Sequence, residues 1–134
     1  MESCIANYYE DYKKEGRKII LECDKNKMIL NTNENMLKRI FDNLIGNAYK
    51  HSTDDLSIKI EITDNVKIKF SNKLLYNELD IDKMFDEFYT VDIARTKGNT
   101  GLGLAIAKEF TEKLNGKIYA DKQSNILTIT IEFN

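Results

Sequence analysis

Two short segments of the sequence carry the polar and glycine residues that could bind a ligand. In the first, residues 43–51, the side chains of Asn43, Asn47 and Lys50 are four and three positions apart, so they share one face of a helix. Amide oxygens are hard, neutral ligands suited to magnesium, and a lysine ammonium can pair with a phosphate. Taken alone, the segment predicts either a metal and phosphate site or an exposed polar helix face, which is the commoner case.

The second segment, residues 98–104, holds three glycines within six positions and leads into an apolar run typical of a helix. Glycines let the backbone approach a ligand closely, and the N–H groups at a helix start favour an anion. No Lys-Ser or Lys-Thr pair follows the last glycine, as a Walker loop requires, and no strand directly precedes the segment, as a dinucleotide-binding fold requires. Alone, it predicts either an anion-binding loop or a flexible loop with a helix N-cap at Asn99 or Thr100.

The composition limits the class of protein. The 134 residues fit one domain with one core, and a formal net charge of -2 gives no general attraction to nucleic acid. Cys4, Cys23 and His51 form no metal-ligand spacing, so we expect reduced thiols and no zinc site. No apolar run reaches the roughly 20 residues that a membrane helix needs.

The hydrophobic pattern predicts the elements that position these two segments. Apolar residues recur at helical spacing over 33–51, and they alternate over 56–63 and 66–71 as in two hairpin strands. The pattern predicts an α+β sandwich, with about three helices on one face of a mixed, mostly antiparallel sheet of about five strands. The remaining expected elements are helices over 3–14 and 101–114, a helical turn near 80–85, and strands over 17–23, 27–30, 117–121 and 126–133.

In their order and about fifty residues apart, the two segments resemble the N box and the G2 box of bacterial histidine kinases. That family belongs to the GHKL group, with type II topoisomerases, a heat-shock chaperone and mismatch-repair ATPases. Residues 84–92 resemble the F box, which hinges the ATP lid in this family. The resemblance extends from about Ile5 to the chain end and implies a Bergerat-type fold, with a lid over about 86–100.

The resemblance implies roles for individual residues. Asn47 would coordinate Mg2+ with Asn43 beside it, while Lys50 would meet the phosphates. His51 would flank the nucleotide, and Arg95 would reach the terminal phosphate from the lid, so that Asn47, Lys50 and Arg95 are the expected catalytic groups. The residues expected to bind ATP are Asn43, Asn47, Lys50, His51, Asn72, Tyr89, Arg95, Gly98, Thr100, Gly101, Leu102, Gly103 and Leu104.

The sequence departs from the family pattern in three places: the G1 box, the F box and the position of the hydrolase glutamate. Asn72 stands where the G1 box has an aspartate that accepts the adenine amino hydrogen, and both glycines of that box are missing. A neutral amide can still accept this hydrogen, in a weaker bond. Thr90 stands where the F box usually has an arginine, a role that Arg95 could take. Arg39 replaces the glutamate that activates water in GHKL hydrolases, which argues for phosphate transfer rather than hydrolysis.

The resemblance therefore implies the ATP-binding catalytic domain of a two-component sensor histidine kinase, with ATP and Mg2+ bound. It would transfer the γ-phosphate to a histidine on a separate dimerisation domain of the same parent protein, for relay to a response regulator. Sensor and dimerisation domains would precede this chain in a membrane-anchored parent, this domain would be cytoplasmic, and little activity is expected from it alone. Two alternatives are an anti-sigma-factor-type serine kinase of about this length, and a degenerate partner-binding module that has lost ATP.

Overall fold

The described part of the chain forms three helices and five strands. The computed structural model describes residues 2–23, 33–52, 55–62, 64–74, 81, 83–86 and 103–133. In chain order the elements are α1 (Glu2–Lys14), β1 (Ile19–Cys23), α2 (Glu34–His51), β2 (Leu56–Ile62), β3 (Val66–Lys73), α3 (Gly103–Lys113), β4 (Lys117–Gln123) and β5 (Ile126–Phe133).

The strands form one mixed sheet in the order β1-β2-β3-β5-β4. β1 runs parallel to β2, and the other neighbouring strands are antiparallel. Isoleucines meet across four strands, because Ile60 pairs with Ile68, Ile68 with Ile131, and Ile131 with Ile118. The first three of these side chains are buried in the single core beneath the helices. The predicted α+β sandwich is therefore confirmed.

The sequence of α2 specifies both its start and its buried face. The Asn33 side chain accepts hydrogen bonds from the backbone N–H groups of Asn35, at 3.0 Å, and Met36, at 3.2 Å, and so caps the helix. Ser52 ends the helix in an extended conformation. The apolar stripe packs on the sheet and is almost fully buried, as seen for Ile40, Phe41, Leu44, Ile45 and Ala48.

The other two helices end in the same way, with a residue in the left-handed conformation. After α1, Gly16 has a φ of 71°, and its N–H donates to Lys13 O while that of Arg17 donates to Tyr12 O. These two bonds form a Schellman motif. After α3, Asn115 has a φ of 62° and begins the same motif, so the helix ends within a residue of the predicted bound at 114.

Several predicted bounds are shifted. β3 continues to Lys73 because it stays paired with β5, where Lys73 lies opposite Ile126. β1 begins at Ile19 rather than Arg17, because Arg17 belongs to the turn that ends α1. Residues 83–86 and Ile81 lie in a turn near the predicted one, while the predicted strand over 27–30 lies outside the described residues. Within the described residues, no helix is both long and apolar enough to span a bilayer.

Gly116 allows the turn after α3 to pack tightly on β5. A β-carbon at this position would lie 2.6 Å from Cε1 of Phe133 and 3.0 Å from the Glu132 carbonyl oxygen. We therefore expect Gly116→Ala to lower the free energy of unfolding by about 1–3 kcal/mol, as overpacking does. Urea unfolding measures this change. Asn115→Gly is the control, because its left-handed φ suits glycine; equal stability of the alanine variant and the parent would contradict the close approach.

Ionisation of Tyr12 makes the free energy of unfolding depend on pH in the alkaline range. Its side chain is fully buried, and its hydroxyl has no hydrogen-bond partner among the described residues. Burial raises the pKa of Tyr12 to about 12, although the Arg17 guanidinium opposes the rise. Above the ordinary pKa of about 10, the unfolded chain loses this proton while the folded protein keeps it, so the free energy of unfolding falls with rising pH.

We expect Tyr12→Phe to reduce that alkaline loss of stability, by on the order of 1–2 kcal/mol between pH 10 and 12. At pH 8 the variant should be at least as stable as the parent, because it removes a buried hydroxyl without a described partner. Urea unfolding at several pH values measures both effects. Tyr9→Phe, at an exposed position of the same helix, is the matched control. Identical pH slopes for Tyr12→Phe and the parent would refute the assignment.

Candidate functional site

The polar face of α2 carries the side chains that the N-box segment predicted to lie together. Asn43 and Asn47 are half-buried and Lys50 is exposed, while the apolar stripe of the same helix points into the core. The helix therefore presents two amides and an ammonium beside, and not within, the hydrophobic core. His51 is the last residue of α2, and its side chain lies outside the described residues.

The start of α3 lies against this polar face. A β-carbon at Gly103 would lie 3.7 Å from Oδ1 of Asn43, and α2 and α3 pack against each other. The first turn of α3 carries no acidic residue, so its free N–H groups keep their positive electrostatic character. Leu104 is half-buried against the core. The fold thus brings the end of the glycine segment next to the first N-box asparagine.

Asn72 lies on the helix-facing side of the sheet, next to the last residue of β3. It follows Phe70 at the alternating position, and the Phe70 ring lies 5.9 Å from that of Phe41 on α2. The Asn72 side chain is buried, and its Nδ2 donates to Lys73 O at 3.1 Å. The amide oxygen is the acceptor of this side chain, so it is the atom that can accept a hydrogen from a ligand.

Arg39 lies on α2 one turn before Asn43. Its guanidinium is 5.9 Å from the centroid of the Phe110 ring on α3, within the range of a cation–π contact. A guanidinium does not lose its proton in proteins, so this side chain cannot act as the base that activates water.

A buried cation at the end of α2 was not predicted from the sequence. The Arg17 side chain is 5% exposed and donates to the backbone carbonyls of Tyr49, at 3.2 Å, and Ala48, at 3.5 Å. The signal that could have revealed it is a charged residue directly after the helix-stop glycine Gly16, at a point where the chain turns back towards its core.

The remaining predicted residues of the lid lie outside the described part of the chain. Met84 is fully buried and Phe85 is half-buried against the core, where the lid was expected to begin. The predicted site residues that fall outside are Tyr89, Arg95, Gly98, Thr100, Gly101 and Leu102.

Comparison with known proteins identifies the family. Residues 32–134 match the sequence model of HATPase_c, described as histidine kinase-, DNA gyrase B-, and HSP90-like ATPase. The chain belongs to this family, and the resemblance to histidine kinase ATP-binding domains is confirmed.

The curated relatives are sensor kinases. Sensor protein kinase WalK of Staphylococcus aureus is 42% identical over 94 residues, which is 63% of this chain and 22% of that protein. For WalK of strain JH9 the same match covers 15% of the protein. This chain therefore spans about a fifth or less of the length of these relatives.

Solved structures of histidine kinases share the fold. The catalytic domain of ThkA superposes with a TM-score of 0.83 at 21% identity, over 98% of this chain and 88% of that one. The Acinetobacter baumannii histidine kinase AdeS gives a TM-score of 0.80 at 20% identity, over 99% of this chain and 61% of that one. ThkA in complex with the response regulator TrrA gives a TM-score of 0.79 at 21% identity, over 98% of this chain and 38% of that one.

Proposed function

We propose that this chain is the ATP-binding catalytic domain of a two-component sensor histidine kinase. It transfers the γ-phosphate of ATP to a histidine on a dimerisation domain of the same parent protein, which then passes the phosphate to a response regulator. The observation that carries the proposal is the proximity of Asn43 to Gly103 in a chain that belongs to the HATPase_c family. The N-box segment and the end of the glycine segment, about fifty residues apart in sequence, lie side by side, and a triphosphate with its metal would need groups from both.

The described donor groups fit ATP with magnesium. The amide oxygens of Asn43 and Asn47 are the hard, neutral ligands that magnesium accepts alongside water and phosphate oxygens. Lys50 supplies a point charge for the phosphates, and the start of α3 supplies N–H groups. Magnesium, when bound, neutralises charge on the phosphates. The protein residues hold and orient the triphosphate, so their contribution to transfer is positioning and electrostatic.

Phosphate transfer to a protein, rather than hydrolysis, follows from the chemistry of Arg39. A permanently charged side chain held over Phe110 occupies the position from which the hydrolases of this group activate water. Asn72 offers an acceptor oxygen for adenine, which favours a nucleotide-binding domain over a degenerate module. The relatives that match this chain are sensor kinases, which favours histidine over serine as the acceptor.

The partners follow from the same proposal. The acceptor histidine comes from the dimerisation domain, and a response regulator receives the phosphate. The structure of ThkA in complex with the response regulator TrrA supports a partner of this class. Within the parent protein, this domain would lie on the cytoplasmic side of a bacterial inner membrane to which the sensor is anchored. The lid residues Tyr89 and Arg95, with the glycine segment, would close over the triphosphate.

Asn47→Ala tests the magnesium and phosphate site. Binding of a fluorescent ATP analogue with magnesium should weaken by about tenfold or more, because a metal ligand and its orientation are lost. Binding without magnesium should change much less. Phosphorylation of a histidine on an added dimerisation domain should fall in parallel. Asn35→Ala is the matched control, since it truncates an exposed asparagine on the same helix. Equal magnesium-dependent binding by the Asn47 variant and the parent would rule out the site.

Asn72→Leu tests adenine recognition. An amide oxygen accepts a hydrogen from the amino group of adenine, whereas guanine presents an oxygen at the same position, so the parent should prefer ATP to GTP. The leucine variant keeps the branched shape of the side chain and should lose about tenfold in ATP affinity with little change for GTP, which calorimetry with both nucleotides can measure. Ser71→Ala, on the opposite face of β3, is the control. An unchanged ATP preference would exclude Asn72 from the adenine site.

A further inference from the structure

The junction between α1 and the end of α2 contains a charge that the proposed chemistry does not use. The Schellman motif after Gly16 directs Arg17 under the C-terminal turn of α2, where its side chain is almost completely buried. Desolvating a guanidinium is costly unless its donors and charge are satisfied. The groups that satisfy the buried guanidinium therefore indicate the role of Arg17.

The guanidinium is held on every side by described groups. Nη1 donates to Oε2 of Glu15 at 3.0 Å and to the Tyr49 carbonyl, while Nη2 donates to the Ala48 carbonyl. The planar group lies 4.3 Å from the Tyr12 ring centroid and 5.1 Å from that of Tyr49. A planar fork of donors with aromatic stacking is a geometry that a lysine cannot reproduce.

The two carbonyls belong to the last turn of α2, whose final four carbonyls have no partner within the helix. A cation there also interacts favourably with the negative end of the helix dipole. Ala48 and Tyr49 stand directly between Asn47 and Lys50 in the sequence. Hydrogen bonds to these two carbonyls therefore fix the backbone next to Lys50 and, with it, the direction in which the Lys50 side chain leaves the helix.

A second connection holds the same turn from the side chain of Tyr49. Its hydroxyl donates to Oε1 of Glu15 at 3.2 Å, and its ring lies 5.3 Å from that of Tyr12. Glu15 thus binds both Arg17 and Tyr49. The end of α2 is held through backbone and side chain by residues at the end of α1.

We propose that Arg17 is a positioning residue that sets the last turn of α2 and so aims Lys50 at the phosphates of the nucleotide. The proposal rests on the proposed ATP site. Arg17 touches no substrate and acts through the Ala48 and Tyr49 carbonyls. Its loss should weaken the phosphate part of nucleotide binding and leave the adenosine part unchanged.

The test compares ATP with adenosine in four proteins. Arg17→Met keeps most of the buried volume but removes the donors, Lys50→Ala removes the phosphate contact, and the double variant combines them. Displacement of a fluorescent ATP analogue measures both affinities. We expect Arg17→Met to lower ATP affinity by about tenfold without changing adenosine affinity, and to cause no further loss in the Lys50→Ala background. Lys18→Met, which truncates the exposed neighbouring cation, is the matched control.

The outcomes separate the two proposals. If the parent binds no ATP, or Lys50→Ala binds it as well as the parent, the ATP site itself is wrong. If Lys50→Ala weakens ATP binding but Arg17→Met does not, or if Arg17→Met weakens ATP and adenosine equally, the positioning role is wrong. If Arg17→Met fails to fold, Arg17→Lys decides: it should lose about threefold in ATP affinity with adenosine unchanged, and an equal loss for both ligands would overturn the proposal.

Discussion

The requirement that α2 present two different faces at once governs the rest of this structure. Its apolar stripe, including Phe41 and Leu44, is buried on the sheet, while Asn43 and Asn47 stand on the adjacent face. A rotation by one residue, about 100°, would drive amides into the core and expose the stripe. Each buried amide without a partner would cost about 1–3 kcal/mol, so core packing itself fixes the direction of the polar groups.

The direction of α2 is set at three points along its length. Asn33 caps its start, the Gly103 end of α3 lies beside Asn43 in its middle, and Arg17 binds the carbonyls of its last turn. The Phe70 ring against Phe41 relates the same helix to β3, which carries Asn72. The candidate site is therefore positioned by the contacts that α2 makes with α3, with β3 and with the residues that follow α1.

Local pattern was sufficient to predict α2 and the shared face of Asn43 and Asn47, because the helical period depends on neighbours in sequence. The parallel pairing of β1 with β2 depends on contacts between distant segments, and no local pattern specifies it. Arg17 was missed for the same reason, since a charge beside a strand becomes a helix cap only once the Ala48 carbonyl arrives next to it. The roles of the lid residues rest on family resemblance, and they remain predictions.

The choice of side chains on α2 follows from the charge of the ligand. A triphosphate is strongly anionic, and carboxylate ligands would bind magnesium at the cost of repelling the phosphates. In the proposed site, amides at Asn43 and Asn47 would bind the metal without that repulsion, and they leave Lys50 and the start of α3 as positive features. In the same proposal, Arg39 one turn earlier would add attraction for phosphate, and a guanidinium supplies no general base for the hydrolysis of ATP.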